Sequence, residues 1–324
     1  MESTGGQAAL TAFMEGVNRF NGSDAADVLD AQAKETFKSH SVWLYNAAAM
    51  KALRGEIWNW GMDDPVLAKE IDALIPGCLD FGTDGVSEQL YFRALRMLPY
   101  GMDDYAGKTV LEIGSGMGEG LNLLSRVVDG GRFLGVELSS MAVRRANAIF
   151  GRGDGLRYIE GDAEALPLGD EEADVIISVE SAHNYPDLPA FLSEVARVLK
   201  PGGYFSCLDG YTKHRYDLMS SLKRGMPAFE WLLEDDISAA VRAGIRKRLS
   251  PDSYFRQTTL AARGMNPLKR HVYFHAHATA FGSKFIKQRE SLLIRVLNRL
   301  GKLPASWTLP VESYVHSVAR KRPA

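Results

Sequence analysis

Three closely spaced glycines, Gly114, Gly116 and Gly118, follow a short apolar run in this 324-residue sequence. Glycine has no Cβ and readily adopts positive φ, so such a loop lets the backbone approach a ligand closely. A dinucleotide-binding loop would carry glycine at position 119, where this sequence has Glu119. Because a carboxylate repels a pyrophosphate, the loop predicts a ligand with a cationic or zwitterionic group instead of a dinucleotide.

Two carboxylates follow the next two apolar runs. Glu137 stands nineteen residues after Gly118, and its two oxygens match the two hydroxyls of a ribose. Asp162 follows the third run, where its carboxylate can accept a hydrogen bond from an adenine amino group. Taken in order along the chain, the glycine loop and these two acids predict a site for a nucleoside-containing ligand.

A histidine and an aspartate stand where the fourth and fifth runs end. His183 lies in segment 179–187, and the ordinary imidazole pKa of about 6.5 suits proton removal at neutral pH. Asp209 ends the fifth run and can orient or charge-stabilise that imidazole. The alternative interpretations are a histidine whose ring nitrogens only satisfy nearby backbone groups, and an aspartate that only caps a loop.

The apolar runs themselves predict the sheet that positions these residues. They alternate with helix-length stretches, which is typical of a parallel sheet covered by helices on both faces. The predicted strands are 109–113, 133–136, 156–159, 173–179 and 204–208, with a last strand at 313–318. Ligands of such sheets bind beyond the carboxyl ends of the strands. The sequence therefore predicts an α/β fold with a mostly parallel, Rossmann-like, doubly wound sheet.

The order of these motifs resembles that of the class I S-adenosylmethionine-dependent methyltransferases. The resemblance extends over about residues 90–212 and includes Glu112 before the glycines and the Leu-Lys-Pro-Gly-Gly run at 199–203. It implies a seven-stranded sheet and S-adenosylmethionine as the cofactor. No metal site is predicted.

The same resemblance implies roles for individual cofactor-binding residues. The glycine loop with Ser115 would face the methionine part of the cofactor, while Glu137 and Leu138 would face its ribose. Asp162 and Ala163 would contact the adenine. The other cofactor-binding candidates are Tyr91, which lies upstream of the loop, Glu112, and Glu180, which is placed to receive the methionine ammonium.

The segment around His183 also resembles a narrower group. Its Glu-Ser-x-His-x-x-Pro-Asp pattern at 180–187, with the later Asp209, is similar to small-molecule O-methyltransferases of natural-product pathways and to mycobacterial methyltransferases acting on phthiotriol lipids. This implies methylation of a hydroxyl on a small, fairly apolar polyketide, glycoside or lipid-like metabolite, with His183 as base. The alternatives are carbon methylation of a sterol-, quinone- or polyketide-like substrate, and a cofactor-binding protein with a scaffolding role or another reaction.

The sequence predicts four regions. They are a helical N-terminal cap (1–75), the cofactor-binding core (76–212), a mostly helical, basic lid or substrate segment inserted before the last strand (213–311), and the final strand of the core sheet (312–324). Within the cap, the aromatic-rich stretch 43–60 either packs on the core or lines a pocket. Within the lid, helices are predicted at 231–249 and 284–302. Histidines 271, 275 and 277 are predicted on a semi-exposed strand or pocket rim.

The net charge of −2 hides an asymmetry. Through Thr212 there are 17 basic and 32 acidic residues, and beyond it 21 basic and 8 acidic. The basic helix at 284–302 could contact an anionic membrane as a peripheral protein, cover an acidic substrate, or pack on the acidic half. No nucleic-acid partner is expected, because no aromatic platform or known motif accompanies the charge. Without a signal peptide or long apolar span, we expect a soluble, cytoplasmic protein; its oligomeric state is left open.

Overall fold

The computed structural model describes residues 2–22, 30–51, 57–78, 84–259, 264–303 and 309–323. A seven-stranded sheet forms its centre, with the order β3-β2-β1-β4-β5-β7-β6. The strands are β1 (Thr109–Ile113), β2 (Arg132–Glu137), β3 (Leu156–Glu160), β4 (Ala173–Val179), β5 (Leu199–Tyr211), β6 (Phe229–Asp236) and β7 (Ser313–Lys321). β1 to β5 pair in parallel, whereas β7 pairs antiparallel with β5 and with β6. The predicted mostly parallel, seven-stranded, Rossmann-like sheet is confirmed.

Helices cover both faces of this sheet. They are α1 (Glu2–Asn21), α2 (Ala31–Lys51), α3 (Pro65–Leu74), α4 (Val86–Arg96), α5 (Glu119–Val127), α6 (Ser140–Phe150), α7 (Leu188–Val198), α8 (Lys213–Gly225), α9 (Ser238–Arg248), α10 (Pro267–Ala280) and α11 (Leu292–Arg299). Successive strand residues point to opposite faces, so Val110 joins a core with Leu121 of α5, and Leu111 joins another with Phe191 of α7. Burial on both faces explains why the central strands β1, β2 and β4 are largely apolar.

The sequence prediction was wrong for part of the segment after β5. A helix was predicted at 231–249, but the structure has the edge strand β6 there, followed by α9. Side chains of β6 alternate between more and less buried positions, and β7 supplies the antiparallel hydrogen-bonding partner. Leu and Glu are good helix formers, so only this long-range pairing decides for a strand. β6 thus places part of the central sheet inside the predicted lid.

The elements α8 to α11 of that segment are helices, and their bounds differ from the predicted ones. Histidines 271, 275 and 277 lie on the helix α10 and not on a strand, with Pro267 in its first turn and Asn266 capping it. α11 covers only Leu292–Arg299 of the helix predicted at 284–302. In the described part of the chain, no helix has the length and apolar character needed to cross a bilayer.

Candidate active site

A cavity of about 600 Å³ lies at the carboxyl ends of β1, β2, β4 and β5. Its walls are completed by α2, residues 57–60, α10 and β7, and these walls are mostly apolar. Parallel strands end at one edge of the sheet, so the motifs that follow β1, β2, β3, β4 and β5 meet there. Twelve of the thirteen site residues predicted from the sequence line this cavity: Tyr91, Gly114, Ser115, Gly116, Gly118, Glu137, Leu138, Asp162, Ala163, Glu180, His183 and Asp209.

The glycine loop connects β1 to α5 and forms one wall. Gly114 has φ of +76°, and a Cβ there would lie 2.5 Å from Cβ of Ser181, so packing itself demands glycine. Gly116 has φ of +53°, but a Cβ there would meet no atom within 4 Å. The space beside Gly116 is therefore open to a ligand, as the cradle for a closely approaching cofactor requires.

Glu137 is fixed at the end of β2 by backbone donors. Its Oε2 accepts from the N–H of Gly116 at 3.0 Å, and its Oε1 accepts from the N–H of Ser139 at 2.8 Å. Burial raises the pKa of this carboxyl, and the backbone hydrogen bonds oppose that rise without cancelling it. A carboxylate has about four lone-pair sites, so Glu137 keeps acceptor capacity for a ligand hydroxyl beside its backbone donors.

Two α2 residues tie this helix to the site, and sequence reasoning missed both. Asn46 accepts from the hydroxyl of Ser139 at 2.7 Å. Lys38 places its Nζ 2.6 Å from Oδ2 of Asp162 and 2.6 Å from Oε2 of Glu164. Burial lowers the pKa of Lys38, but its hydrogen bonds and charge interactions with the two acids raise it further, and the net pKa is raised. A lone polar residue on a helix gives no sequence signal for such long-range contacts.

Glu112 is the predicted cofactor-binding residue that does not line the cavity. It lies in β1 with its side chain fully buried, and burial raises the pKa of its carboxyl to about 8. Tyr91 of α4 lines the cavity and interacts with the Glu112 carboxyl. The Tyr91 ring occupies the space where a Cβ of Gly120 would be. The structure therefore places Glu112 behind the cavity wall, next to a residue of that wall.

Glu180 follows β4 in a conformation that non-glycine residues seldom adopt. Its φ is +50°, and its Oε1 accepts from the N–H of Trp60 at 2.7 Å and from the hydroxyl of Tyr314 at 2.8 Å. Burial raises the pKa of the Glu180 carboxyl to about 7, against the effect of these hydrogen bonds and of His183. Such backbone strain is found mostly where a site requires the side chain.

The structure brings His183 and Asp209 together. Nδ1 of His183 lies 2.7 Å from Oδ1 of Asp209, and Oδ2 of Asp209 accepts from the backbone N–H of His183 at 2.9 Å. Burial lowers the pKa of His183, but the charge and hydrogen bond of Asp209 and the charge of Glu180 outweigh it, so the net pKa is raised. With Nδ1 donating to Asp209, Nε2 carries the lone pair; the amide nitrogen of Asn184 lies 3.1 Å away.

The turn that carries His183 is held from two other elements. Asn21, at the end of α1, donates its amide to the carbonyl of His183 at 2.9 Å. Arg215 of α8 is buried and donates to the carbonyls of Ala182 and Tyr185. The position of the imidazole therefore depends on helices far away in the sequence as well as on Asp209.

Aromatic side chains from the stretch 43–60 form part of the cavity wall. Tyr45, Trp58 and Trp60 line it, whereas Trp43 is exposed. Of the α10 histidines, only His277 lines this cavity. Within the described ranges, no group of His, Cys, Asp and Glu side chains is arranged to hold a metal ion.

Comparison with known proteins identifies the sheet core. Residues 111–207 match a family described as a methyltransferase domain. The chain is 42% identical over 118 residues to a fatty-acid O-methyltransferase of Mycolicibacterium smegmatis, which covers 36% of this chain and 41% of that protein. It is 42% identical over 106 residues to a phthiotriol/phenolphthiotriol dimycocerosates methyltransferase of Mycobacterium tuberculosis, covering 33% of this chain and 39% of that protein. The matched part thus spans about two fifths of these relatives.

Solved structures share the fold over a longer range. The [4+2]-cyclase SpnF superposes with a TM-score of 0.58 at 16% identity, covering 89% of this chain and 97% of that one. The geranyl diphosphate C-methyltransferase of Streptomyces coelicolor gives a TM-score of 0.53 at 15% identity, covering 88% and 98%. At such identities the likeness concerns the fold alone. The match to a methyltransferase domain and the named methyltransferase relatives confirm the resemblance predicted from the motifs, and with it the cofactor class. Residues 111–207 of the sheet core are thus similar to the methyltransferase domains of the class I S-adenosylmethionine-dependent family.

Proposed function

We propose that this protein transfers the methyl group of S-adenosylmethionine to a hydroxyl of a small, fairly apolar metabolite, with His183 as the general base. The observation that carries the proposal is the pairing of His183 with Asp209. Both residues line the same cavity as the glycine loop. Two relatives whose names specify fatty-acid and phthiotriol-type substrates support a lipid-like acceptor.

The residues of the cavity divide into a cofactor side and an acceptor side. The open space at Gly116, the ribose-facing carboxylate of Glu137 and the acidic Asp162 fit the cofactor. When bound, S-adenosylmethionine supplies an electrophilic methyl carbon on a sulfonium. Glu180, hydrogen-bonded to Trp60, is half-buried near the same strand ends and fits the cofactor's methionine ammonium. The apolar walls then remain for the acceptor, whose burial excludes water.

His183 provides the proton acceptor that a hydroxyl nucleophile needs. Asp209 fixes the Nδ1–H tautomer and stabilises the imidazolium that forms once Nε2 takes the proton. Asn184 lies within hydrogen-bonding distance of Nε2 and must yield this position to the acceptor hydroxyl. Proton removal by a positioned base contributes about 10²–10⁴-fold to a rate.

Replacing the base tests this proposal. In His183→Asn the amide nitrogen takes approximately the place of Nδ1 and can still donate to Asp209, but no base remains. With tritium-labelled cofactor and a panel of fatty acids, long-chain alcohols and phenolic lipids, we expect turnover to fall about 10²–10⁴-fold while calorimetry shows unchanged cofactor binding. His40→Asn on α2 is the matched control. Unchanged turnover in His183→Asn would rule out the base.

Carbon methylation is the second candidate, and a separate observation favours it. The carboxyl of Glu180, with a pKa of about 7, accepts hydrogen bonds beside the rings of Trp60 and Tyr314, whose centroids lie 6.3 Å apart. Aromatic faces stabilise a cation, and a carboxylate can take up a carbon-bound proton. NMR of the labelled product separates the two candidates, because it distinguishes a methoxy group from a carbon-bound methyl group. Cofactor binding without any methylated product would contradict both.

A further inference from the structure

A second cavity, of about 330 Å³, lies on the other side of α10 from the candidate active site. Cationic side chains from three segments line it: Arg256 before α10, Arg270 on α10, and Lys284 and Arg289 between α10 and α11. A single carboxylate, Glu290, shares this lining. The chemistry of the cavity is that of an anion site, and the methyl-transfer proposal makes no use of it.

Exposed apolar side chains border this basic cavity. On α11, Leu292 is 70% exposed and Leu300, which caps the helix, is 63% exposed, with Val296 between them on the same helical face. Leu268 at the start of α10 is 56% exposed and lies next to Pro267, a residue of the cavity lining. Together with the four cavity cations, these four apolar residues define what we call the basic apolar surface.

Within the described ranges, the cations around this surface have no carboxylate partner, although Arg270 donates to the carbonyl of Met265 and Arg256 lies over the Phe274 ring. Residues 264–303 contain eight Lys and Arg side chains and one acidic residue, Glu290. Within the described ranges, none of these eight cations forms an ion pair with a carboxylate, although the first 212 residues carry a strong acidic excess. The ion pairs among the described residues therefore leave the cationic side chains of α10, α11 and the segment between them available to an external anion.

We propose that the basic apolar surface docks the protein on a bilayer that contains anionic phospholipids. The exposed leucines would enter the boundary between headgroups and acyl chains, and Arg270, Lys284 and Arg289 would bind lipid phosphates in the second cavity. An amphipathic helix with cations beside its apolar face binds anionic membranes in this way. This assignment goes beyond methyl transfer and does not depend on it.

Charge decides between a membrane and a second copy of the chain as the occupant. A symmetric dimer through this surface would set the four cavity cations of one copy against the same four of the other, with Glu290 as the acid of each lining. An anionic bilayer offers an apolar phase in which the exposed Leu292 and Leu300 can be buried, and phosphates that neutralise the cavity cations. α10 lines both cavities through different residues, so docking would also place the acceptor cavity next to the lipid phase.

The test is flotation of the full chain, without cofactor, on vesicles. We expect binding to vesicles of phosphatidylglycerol and phosphatidylcholine, weak binding to phosphatidylcholine alone, and loss of affinity with rising salt. The double variant Arg270→Glu/Arg289→Glu should weaken binding more than about 20-fold, and Leu292→Ser/Leu300→Ser about 10-fold. Two matched controls should retain most of the vesicle binding. They are Lys69→Glu/Arg157→Glu, which has the same net charge as the double charge variant, and Leu232→Ser.

Four results would overturn the proposal. The first is equal binding to phosphatidylcholine alone, and the second is equal loss in the charge-matched control. The third is an unaltered affinity of Leu292→Ser/Leu300→Ser combined with full competition by inorganic phosphate, which would leave only a soluble-anion site. If instead the wild-type chain dimerises in analytical ultracentrifugation and Leu292→Ser/Leu300→Ser does not, the occupant is a second copy. Circular dichroism melting curves show whether each variant is folded, and cofactor calorimetry tests the methyltransferase site separately.

Discussion

The substitution Asp209→Asn separates the charge of this residue from its shape. The side chain is fully buried and accepts three hydrogen bonds: from Nδ1 of His183 at 2.7 Å, from the N–H of His183 at 2.9 Å, and from the N–H of Gly210 at 2.7 Å. An amide of the same shape has one acceptor oxygen and one donor nitrogen. Whichever way the amide turns, a buried donor faces another donor, or the imidazole must change its tautomer.

The expected magnitudes follow from that conflict. One unsatisfied buried donor costs about 1–3 kcal/mol of the free energy of unfolding. Loss of the correct imidazole tautomer, and of the charge that stabilises the imidazolium, removes most of the contribution of the base, about 10²–10⁴-fold in turnover. Asp217→Asn is the matched control, because Asp217 is an exposed aspartate on α8.

The pH dependence gives the sharper measurement. Asp209 raises the pKa of His183 above its ordinary value, so the acidic limb of the wild-type rate profile lies above about pH 6.5 and should move to lower pH in Asp209→Asn. The pair stabilises the fold fully below the unfolded pKa of about 6.5, and this stability is lost as pH rises through the raised folded pKa. The variant should therefore lose more stability at pH 5.5 than at pH 8.5. A limb that does not move, with turnover within about three-fold of wild type, would refute the pairing as a catalytic unit.

Two further substitutions test the cofactor wall and Glu180. Gly116→Ala and its control Gly153→Ala both place a Cβ at positive φ with nothing within 4 Å, so each should cost about 1–2 kcal/mol of stability. Only Gly116→Ala should weaken cofactor binding, at least about 10-fold by calorimetry. Equal cofactor affinities of the two variants would contradict a cofactor position beside Gly116. Glu180→Gln keeps an oxygen that can accept from Trp60 and Tyr314 and removes a carboxyl whose folded pKa of about 7 exceeds its ordinary 4.5. Since the folded state holds this proton more tightly, wild-type stability falls as pH rises from 4.5 to 7, by up to about 3 kcal/mol relative to Glu180→Gln in urea titrations. Parallel stability curves for the two proteins would show that Glu180 titrates normally.

Much of the cofactor side was predictable because it depends on local order along the chain. The predicted strands at β1, β2, β4 and β5 are buried on both faces, so their apolar runs are visible. The residues that follow a parallel strand must lie at the carboxyl edge of the sheet. Glu137, Asp162 and His183 reach the cavity for this reason. The same rule does not tell which side of β1 faces the ligand, and Glu112 lies behind the wall.

The missed residues all come from elements that are distant in the chain. Lys38 and Asn46 approach Asp162 and Ser139 across roughly a hundred residues or more. Tyr314 reaches Glu180 from the last strand, and Asn21 reaches His183 from the first helix. No local spacing marks a helix residue for such a contact, because the docking of α1 and α2 over the strand ends creates it.

The sequence by itself determined the parallel core, the glycine loop and the order of the polar residues behind the strands, since local periodicity and steric limits on glycine encode them. Only the tertiary structure decided that β6 is a strand, because its partner β7 begins more than seventy residues later. Tertiary packing also raises the pKa values of Glu180 and His183, through burial and neighbouring charges respectively. It likewise leaves the cations of α10 and α11 unpaired by the acidic half within the described ranges, which composition alone could not settle.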